Sequence, residues 1–337
     1  MNLPELMPAW QATAFGPPEE VLVLAEVPVP RPRPGQVLVE MWTAALGFQD
    51  ALLTAGAHQE HPPLPFTPGT ELCGEIVAVG PGVDRLRLGE RVVGTTSLPH
   101  GALARFAVAE ADAVLQAPNR LDDASAAGFH VAYQVGWFGL YRRAALRVGE
   151  TLLVHAAAGG LGSAAVQLGK AAGARVIGVV GGSEKADAAR LLGVDVIVDR
   201  TRQDVVEAVL AATDGLGADV IYDPVGGVAF EASTQLVAFE GRIVVIGFAS
   251  GQMARLSTNH TVTKNYSVHG VNWSSYQTRA PDLVRRAHAD LTRLVDAGAI
   301  MPLTVERVSF GEVAESMADV GRGLTLGRVV VRAPLVD

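Results

Sequence analysis

The chain reads as an α/β protein with a β-rich first part and a doubly wound parallel sheet behind it. Three observations predict this. Short apolar runs punctuated by Pro and Gly fill the first third, strand-length and helix-length segments alternate after Gly149, and a glycine-rich turn joins the first strand of that alternation to its first helix.

In chain order, the runs VLVLAEVPVPRPRPG, QVLVEMWTAALG, ELCGEIVAVGPGV, ERVVGTTS and ARFAVAEADAVLQAP are strands joined by turns, the pattern of a compact antiparallel barrel. Pro30, Pro32 and Pro34 belong to a loop because none has an amide hydrogen to give a ladder. Asp50 is placed as the cap of a helix that starts at Ala51. From about Asp122 the pattern becomes helical, with ASAAGFHVAYQVGWFGLYRRAAL bridging the two parts. Strands are then expected at Leu152 to His155, Arg175 to Val180, Val194 to Val198, Asp219 to Tyr222, Arg242 to Gly247 and Ser267 to Val271. Helices are expected at Glu184 to Leu192, Gln203 to Ala212, Val228 to Phe239 and Pro281 to Ala297. Right-handed crossovers put every carboxyl end of such a sheet on one rim, where ligands bind.

The segment TLLVHAAAGGLGSAAVQLGKAAGARVIGVVGGSEK, Thr151 to Lys185, carries the chemistry. The dinucleotide fingerprint G-x-G-x-x-G falls on Ala157, Gly159 and Gly162, with alanine in place of the first glycine. Gly159, Gly160, Leu161 and Gly162 open the helix whose N-terminus would face a pyrophosphate. An NAD site usually has a carboxylate at the tip of the second strand for the ribose 2′-hydroxyl, whereas here the tip is Gly181-Gly182-Ser183-Glu184-Lys185. Ser183 can donate a hydrogen bond, Lys185 can meet a phosphate, and Arg200 adds a second cation beyond the third strand. These residues favour NADP(H). Glu184 can equally cap its own helix, and the two cations can equally be solvated surface charges. Further along the rim, Val225 in the loop Asp223 to Gly227, together with Gly247 and Phe248, is expected to line the cofactor crevice, with the nicotinamide near Gly247.

Length and composition narrow the remaining classes. A chain of 337 residues exceeds one ordinary core, so two domains are expected. The apolar share of 49% with 18% charged residues suits a packed protein rather than a disordered one. The net charge of −8, with no basic stripe, argues against nucleic acid as a partner. No apolar segment reaches membrane-spanning length and the first residues lack a signal-peptide pattern, so a cytoplasmic protein is expected. The single cysteine, Cys73, excludes an internal disulfide and sits in an apolar run where packing is its expected role.

The pieces VHAAAGGLG, IYDPVGG, GRIVVIGFASG and TKNYSVHGVNW, following the β-rich start and PPLPFTPGTELCGEIVAVGPGV, resemble the zinc-independent quinone oxidoreductase branch of the medium-chain dehydrogenase/reductase superfamily. The resemblance runs essentially the whole length. It implies a GroES-like catalytic domain, residues 1–125 and 266–337, around a Rossmann NADP-binding domain, residues 126–265, with 266–272 able to complete the Rossmann sheet. It also implies NADPH as cofactor, a homodimer, and a small-molecule quinone or enone as substrate. Zinc-dependent members carry histidine in a PGHE run and a cysteine ahead of the aspartate, where this chain has Pro68-Gly69-Thr70-Glu71 and Leu46-Gly47-Phe48-Gln49-Asp50. Those residues do not make a nitrogen and sulfur donor set, so no catalytic metal is expected, and His58 and His61 flank a Pro-rich loop without a third ligand in spacing. Gly47 and Ala132 stand where the family usually has asparagine and threonine near the nicotinamide, and His58 stands where it usually has tyrosine. Tyr133 and Tyr276 match the family, so Tyr133, His58 and Tyr276 are the candidate donors to the substrate. Two other readings stay open at this point: an enoyl-thioester reductase of the same superfamily, and a non-catalytic NADPH-binding sensor.

Overall fold

The computed structural model describes residues 3–334, apart from the side chains of 304–306. The chain divides into two compact units, one of Met1–Val131 with Pro302–Asp337 and the other of Ala132–Met301. The second unit thus keeps the strand Ser267–Gly270, which was expected to be able to complete the Rossmann sheet, and also the helix Pro281–Asp296, which was expected in the returning tail.

The first unit is built on a curled sheet in which Gln36–Leu46 is the central strand. It pairs antiparallel with Glu71–Val79, with Phe106–Glu110 and with the C-terminal strand Arg328–Arg332. Arg91–Thr95 and Val114–Gln116 continue the sheet on one side, and Thr304–Val308 lies parallel to Arg328–Arg332 on the other. The strands Leu6–Ala12 and Leu22–Pro28 form a separate antiparallel ribbon. Alternation along the central strand turns Val37, Val39 and Met41 inward against Phe66, Leu72, Ile76 and Val92, giving this unit its own apolar core.

The second unit contains six parallel strands. Their spatial order is Val196–Asp199, Arg175–Val180, Thr151–Val154, Ala218–Asp223, Val237–Val245 and Ser267–Gly270. Numbered along the chain this is 3-2-1-4-5-6, the doubly wound order, with its switch point between Thr151–Val154 and Ala218–Asp223. The strands are apolar on both faces because helices cover both, and Leu153, Ile177, Val198, Ile221 and Ile243 are essentially fully buried.

Three local expectations are corrected. The bridging helix is interrupted: Asp123–Ala127 and His130–Gly136 are α-helical, and Trp137–Arg143 widens into a π-helical turn. A close packing partner explains the small residue at its start, since a Cβ on Gly136 would stand 2.6 Å from Leu168 Cδ1. The helix from Val228 ends at Leu236 rather than Phe239, and Val237–Val245 is one strand that passes through Glu240 at φ +57° before Gly241. The helix near Asp50 begins at Phe48, so Asp50 lies inside its first turn and not ahead of it.

Candidate active site

The carboxyl rim of the parallel sheet gathers most of the residues expected to hold a dinucleotide. After Val154 the chain turns sharply, with Ala156 at φ +52°, the Gly159 amide donating to the Ala156 carbonyl at 2.9 Å, and Gly159 capping the helix Gly160–Ala171. Gly162 cannot carry a side chain here, because a Cβ would lie 2.0 Å from the Ala156 oxygen. At Gly159 the same oxygen would be 3.3 Å away, a contact that a small shift relieves. The alanine at the first fingerprint position has a visible reason. Ala157 is fully buried, and its methyl lies 2.9 Å from where Gly178, on the neighbouring strand, would place a Cβ, so Gly178 supplies the room that a glycine at 157 would otherwise give. Leu161 is half-buried in the first helical turn.

At the tip of the second strand, Gly182 adopts φ +98° and caps the helix Ser183–Leu191. Arg200 donates its amide to the Val180 carbonyl at 3.0 Å, and its guanidinium lies 3.0–3.2 Å from where a Gly181 Cβ would stand. A side chain at 181 would therefore collide with the arginine. Burial, and after it the charge of Arg200, hold the Lys185 ammonium below the ordinary lysine range, with Glu184 opposing. The structure thus brings Ser183, Lys185 and Arg200 to one edge, with Ser183 and Arg200 exposed.

A carboxylate that the sequence alone does not mark also stands at this edge. Asp199 turns inward, and its Oδ1 accepts from the Gly182 amide at 2.9 Å, the Thr201 amide at 3.0 Å and the Thr201 hydroxyl at 2.7 Å. Those bonds hold its pKa below the usual carboxylate range. The side chain is committed to shaping the loop.

Across the switch point, Asp223 plays a matching part. Its Oδ1 accepts from the amides of Val225 at 2.8 Å and Gly226 at 3.0 Å, and the side chain is fully buried. The next loop is laced to this one: Ala249 and Ser250 donate to the carbonyls of Pro224 and Val225 at 3.1 and 3.0 Å. Val225, Gly247 and Phe248 are thereby brought together. His155, buried at the end of the first strand, contacts the Ser233 hydroxyl at 2.9 Å through Nε2, and burial lowers its pKa while Asp223 opposes. Position alone could have flagged Asp199, Asp223 and His155, since each ends or follows a strand of the sheet.

The candidate donors fall in both units. Tyr133 is enclosed, its phenol beside Gln167 and its ionisation pushed up by burial. Tyr276 is half-buried, with its ring on Phe138 at a centroid distance of 4.2 Å. His58 belongs to the first unit, where its Nδ1 accepts from the Glu60 amide at 3.1 Å.

In the first unit the two positions compared with zinc ligands, 47 and 70, are tied together by Asp50. Its Oδ2 accepts from the Gly47 amide at 2.8 Å, and its Oδ1 accepts from the Thr70 amide at 2.9 Å and the Thr70 hydroxyl at 2.7 Å. Burial pushes the Asp50 carboxyl up, and these bonds oppose it. Beside it, Glu71 accepts from the Arg328 guanidinium and from the Val131 amide, a buried ion pair in which burial again acts against the charge and Arg328 favours it. Cys73 is buried and its thiol is pushed up to about 12, as suits a packing residue. Among the described residues no group of three or more His, Cys, Asp or Glu side chains is arranged to hold a metal ion.

Comparison with known proteins places both units. Residues 33–119 match the alcohol dehydrogenase GroES-like domain, and residues 160–289 match the family described as zinc-binding dehydrogenase. The quinone oxidoreductase-like protein 2 of Bos taurus is 32% identical over 312 residues, covering 92% of this chain and 88% of that protein. A homolog of that protein from Nematostella vectensis is 37% identical over 253 residues, 75% of this chain and 69% of its own. Among solved structures, a mycobacterial protein complexed with NADPH superposes with a TM-score of 0.89 at 28% identity, covering 97% of this chain and 99% of that one. A GroES-like unit, a doubly wound Rossmann unit and relatives matched over nearly the full length agree, and the chain belongs to the quinone oxidoreductase branch of the medium-chain dehydrogenase/reductase superfamily.

Proposed function

We propose that this protein is an NADPH-dependent oxidoreductase that reduces quinones or related conjugated carbonyls without a catalytic metal. The observation that carries the cofactor choice is the rim at the second strand, where Lys185 and Arg200 share one edge while the nearby carboxylate, Asp199, is spent on the Gly182 and Thr201 amides. A 2′-phosphate would meet two cations there, against the single charge of the exposed Glu184 beside Lys185. The cradle fits the rest of the dinucleotide: Gly162 lets the helix approach the turn, and Val225, Gly247 and Phe248 sit on joined loops along the same rim. NADPH, when bound, supplies the hydride.

The acceptor class follows from what the chain's own residues can stabilise. An isolated aldehyde becomes an alkoxide with basicity near hydroxide, about 15.7 on the pKa scale. A quinone becomes a phenolate-like oxygen, whose acid titrates near 10 as tyrosine does, so the site is spared roughly 8 kcal/mol of charge stabilisation. Gly47 and Thr70 are not metal ligands: their amides and the Thr70 hydroxyl are all spent on Asp50, which fixes both positions. His58, Tyr133 and Tyr276 are the proposed donors toward the acceptor oxygen. The edge strand Ser267–Gly270 ends the sheet and offers an open side for a homodimer, which we place in the cytoplasm.

NADPH absorbance followed against quinones, enones, acyl thioesters and aldehydes, with and without a chelator, tests this. Turnover of quinones or enones that survives chelation is the expected result. Turnover of acyl thioesters alone, aldehyde reduction that chelation abolishes, or tight NADPH binding with no single-turnover hydride transfer would each overturn it.

A further inference from the structure

At the outer end of the same carboxyl rim, the second unit holds a cavity of about 310 Å³ at the carboxyl end of its edge strand, lined by Arg143, Asn272, Ser275, Tyr276 and Arg279 and by the backbone of Gly270. Its walls come from three elements: the last residue of the π-helical turn, the segment after Ser267–Gly270, and the short helix Ser274–Arg279. The volume suits a small organic molecule rather than a lone ion.

The charged side chains of its lining are all of one sign. The protein carries a net charge of −8, and several of its arginines, among them Arg91, Arg105 and Arg242, have an acidic partner. Arg143 and Arg279 have none among the described residues, although both are exposed, and no carboxylate lines the cavity they share. The uncharged groups are also oriented as donors. Asn272 Oδ1 is occupied by the Ser274 hydroxyl at 2.7 Å and the Ser275 amide at 3.2 Å, which leaves its NH₂ group to donate. The Tyr276 ring is seated on Phe138, so its position is set by packing rather than by solvent. Next to the cavity, burial first and then the charges of Arg143 and Arg242 hold His269 below the imidazole range.

We propose that this cavity binds the oxyanion of a small organic molecule, a carboxylate or a phosphate ester, between the Arg143 and Arg279 guanidiniums. Two planar forks with no internal counter-ion match an oxyanion better than any neutral ligand. Tyr276, proposed above as a donor toward the acceptor, lies on the cavity wall, so an acceptor bearing an acid group is one molecule this chemistry admits. The binding test needs no turnover.

Calorimetric titration of the NADPH-saturated protein at low salt with citrate and with glycerol 3-phosphate provides it, since saturating NADPH keeps phosphate probes out of the cofactor groove. The wild type is expected to bind at least one probe with one-to-one stoichiometry, and the better probe identifies the oxyanion class. Arg143→Gln/Arg279→Gln should weaken that binding at least tenfold while NADPH affinity and Tm stay unchanged. No saturable binding of either probe, or equal binding by wild type and the double variant, would overturn the assignment. So would a change of oligomeric state in the double variant by sedimentation, because the arginines would then serve an interface.

Discussion

Removing Arg200 should separate the two nicotinamide dinucleotides. Its guanidinium lies flat over Gly181 at the tip of the second strand, where the adenosine ribose of a bound dinucleotide is expected, and its backbone is anchored on Val180. A hydrogen bond to a charged group contributes about 1.5–3 kcal/mol, and because Arg200 is exposed the lower half of that range applies. With 1.4 kcal/mol per factor of ten, Arg200→Ala should weaken NADPH binding about 10- to 30-fold. NADH has no phosphate to lose, so its affinity should stay within about twofold. Lys185 responds in a predictable direction: without the neighbouring positive charge its pKa rises toward the ordinary lysine value, so it remains a cation and the site is not emptied of charge. Arg200→Lys should restore part of the loss, since a point charge replaces a planar fork. Fluorescence titration with both cofactors at low salt reads all of this. Equal weakening of NADPH and NADH, or no change in either, would refute the assignment of this edge to a 2′-phosphate.

Three further outcomes follow from contacts in the structure. Gly162→Ala places a Cβ 2.0 Å from the Ala156 oxygen, so it should cost about 3 kcal/mol by urea denaturation and abolish measurable NADPH binding, whereas Gly159→Ala, at 3.3 Å from the same atom, should be much milder. Asp50→Ala strands the Gly47 amide and both Thr70 donors in a buried place, and at about 1–3 kcal/mol for each orphaned group it should destabilise the first unit by roughly 3 kcal/mol or more, read as a lower Tm. Asp199 has a depressed folded-state pKa, so its stabilisation is present above the unfolded carboxylate value near 3.9 and is lost as pH falls through the folded one. The Tm difference between wild type and Asp199→Asn should accordingly be larger at pH 7 than at pH 3, and a difference that grows on acidification would contradict the hydrogen-bond geometry.

The elements legible in the chain were those whose signal is local. The strand, glycine turn and helix from Thr151 to Ala171 declare themselves because periodicity changes at a cluster of glycines, and the structure places both elements there. Less legible were features decided by distant partners. Nothing near Asp50 says that its carboxylate will accept from Thr70, twenty residues on, while its other oxygen caps the helix at Gly47. Local pattern likewise extended the helix from Val228 too far, because Ala218 pairs with Val237 and pulls that segment into the sheet.

The same distinction governs the cofactor rim. Acidic residues near the second strand's tip normally signal NAD, yet what matters is where the carboxylate points, and Asp199 points at amides. The fingerprint itself is spread over two segments: alanine at 157 is accommodated because glycine stands at 178 on the neighbouring strand, where a Cβ would lie 2.9 Å from the Ala157 methyl. A turn of this kind is therefore judged by the pair. Gly178→Ala in this chain should damage the nucleotide turn as a glycine-to-alanine change inside the fingerprint would, although residue 178 lies outside the motif. Restoring glycine at 157 in the same molecule should repair it in part, since a Cβ at 178 would still stand 3.0 Å from Val194 Cγ1, and if Ala157→Gly recovers none of the Tm or NADPH affinity in the Gly178→Ala background, the two positions do not share one space.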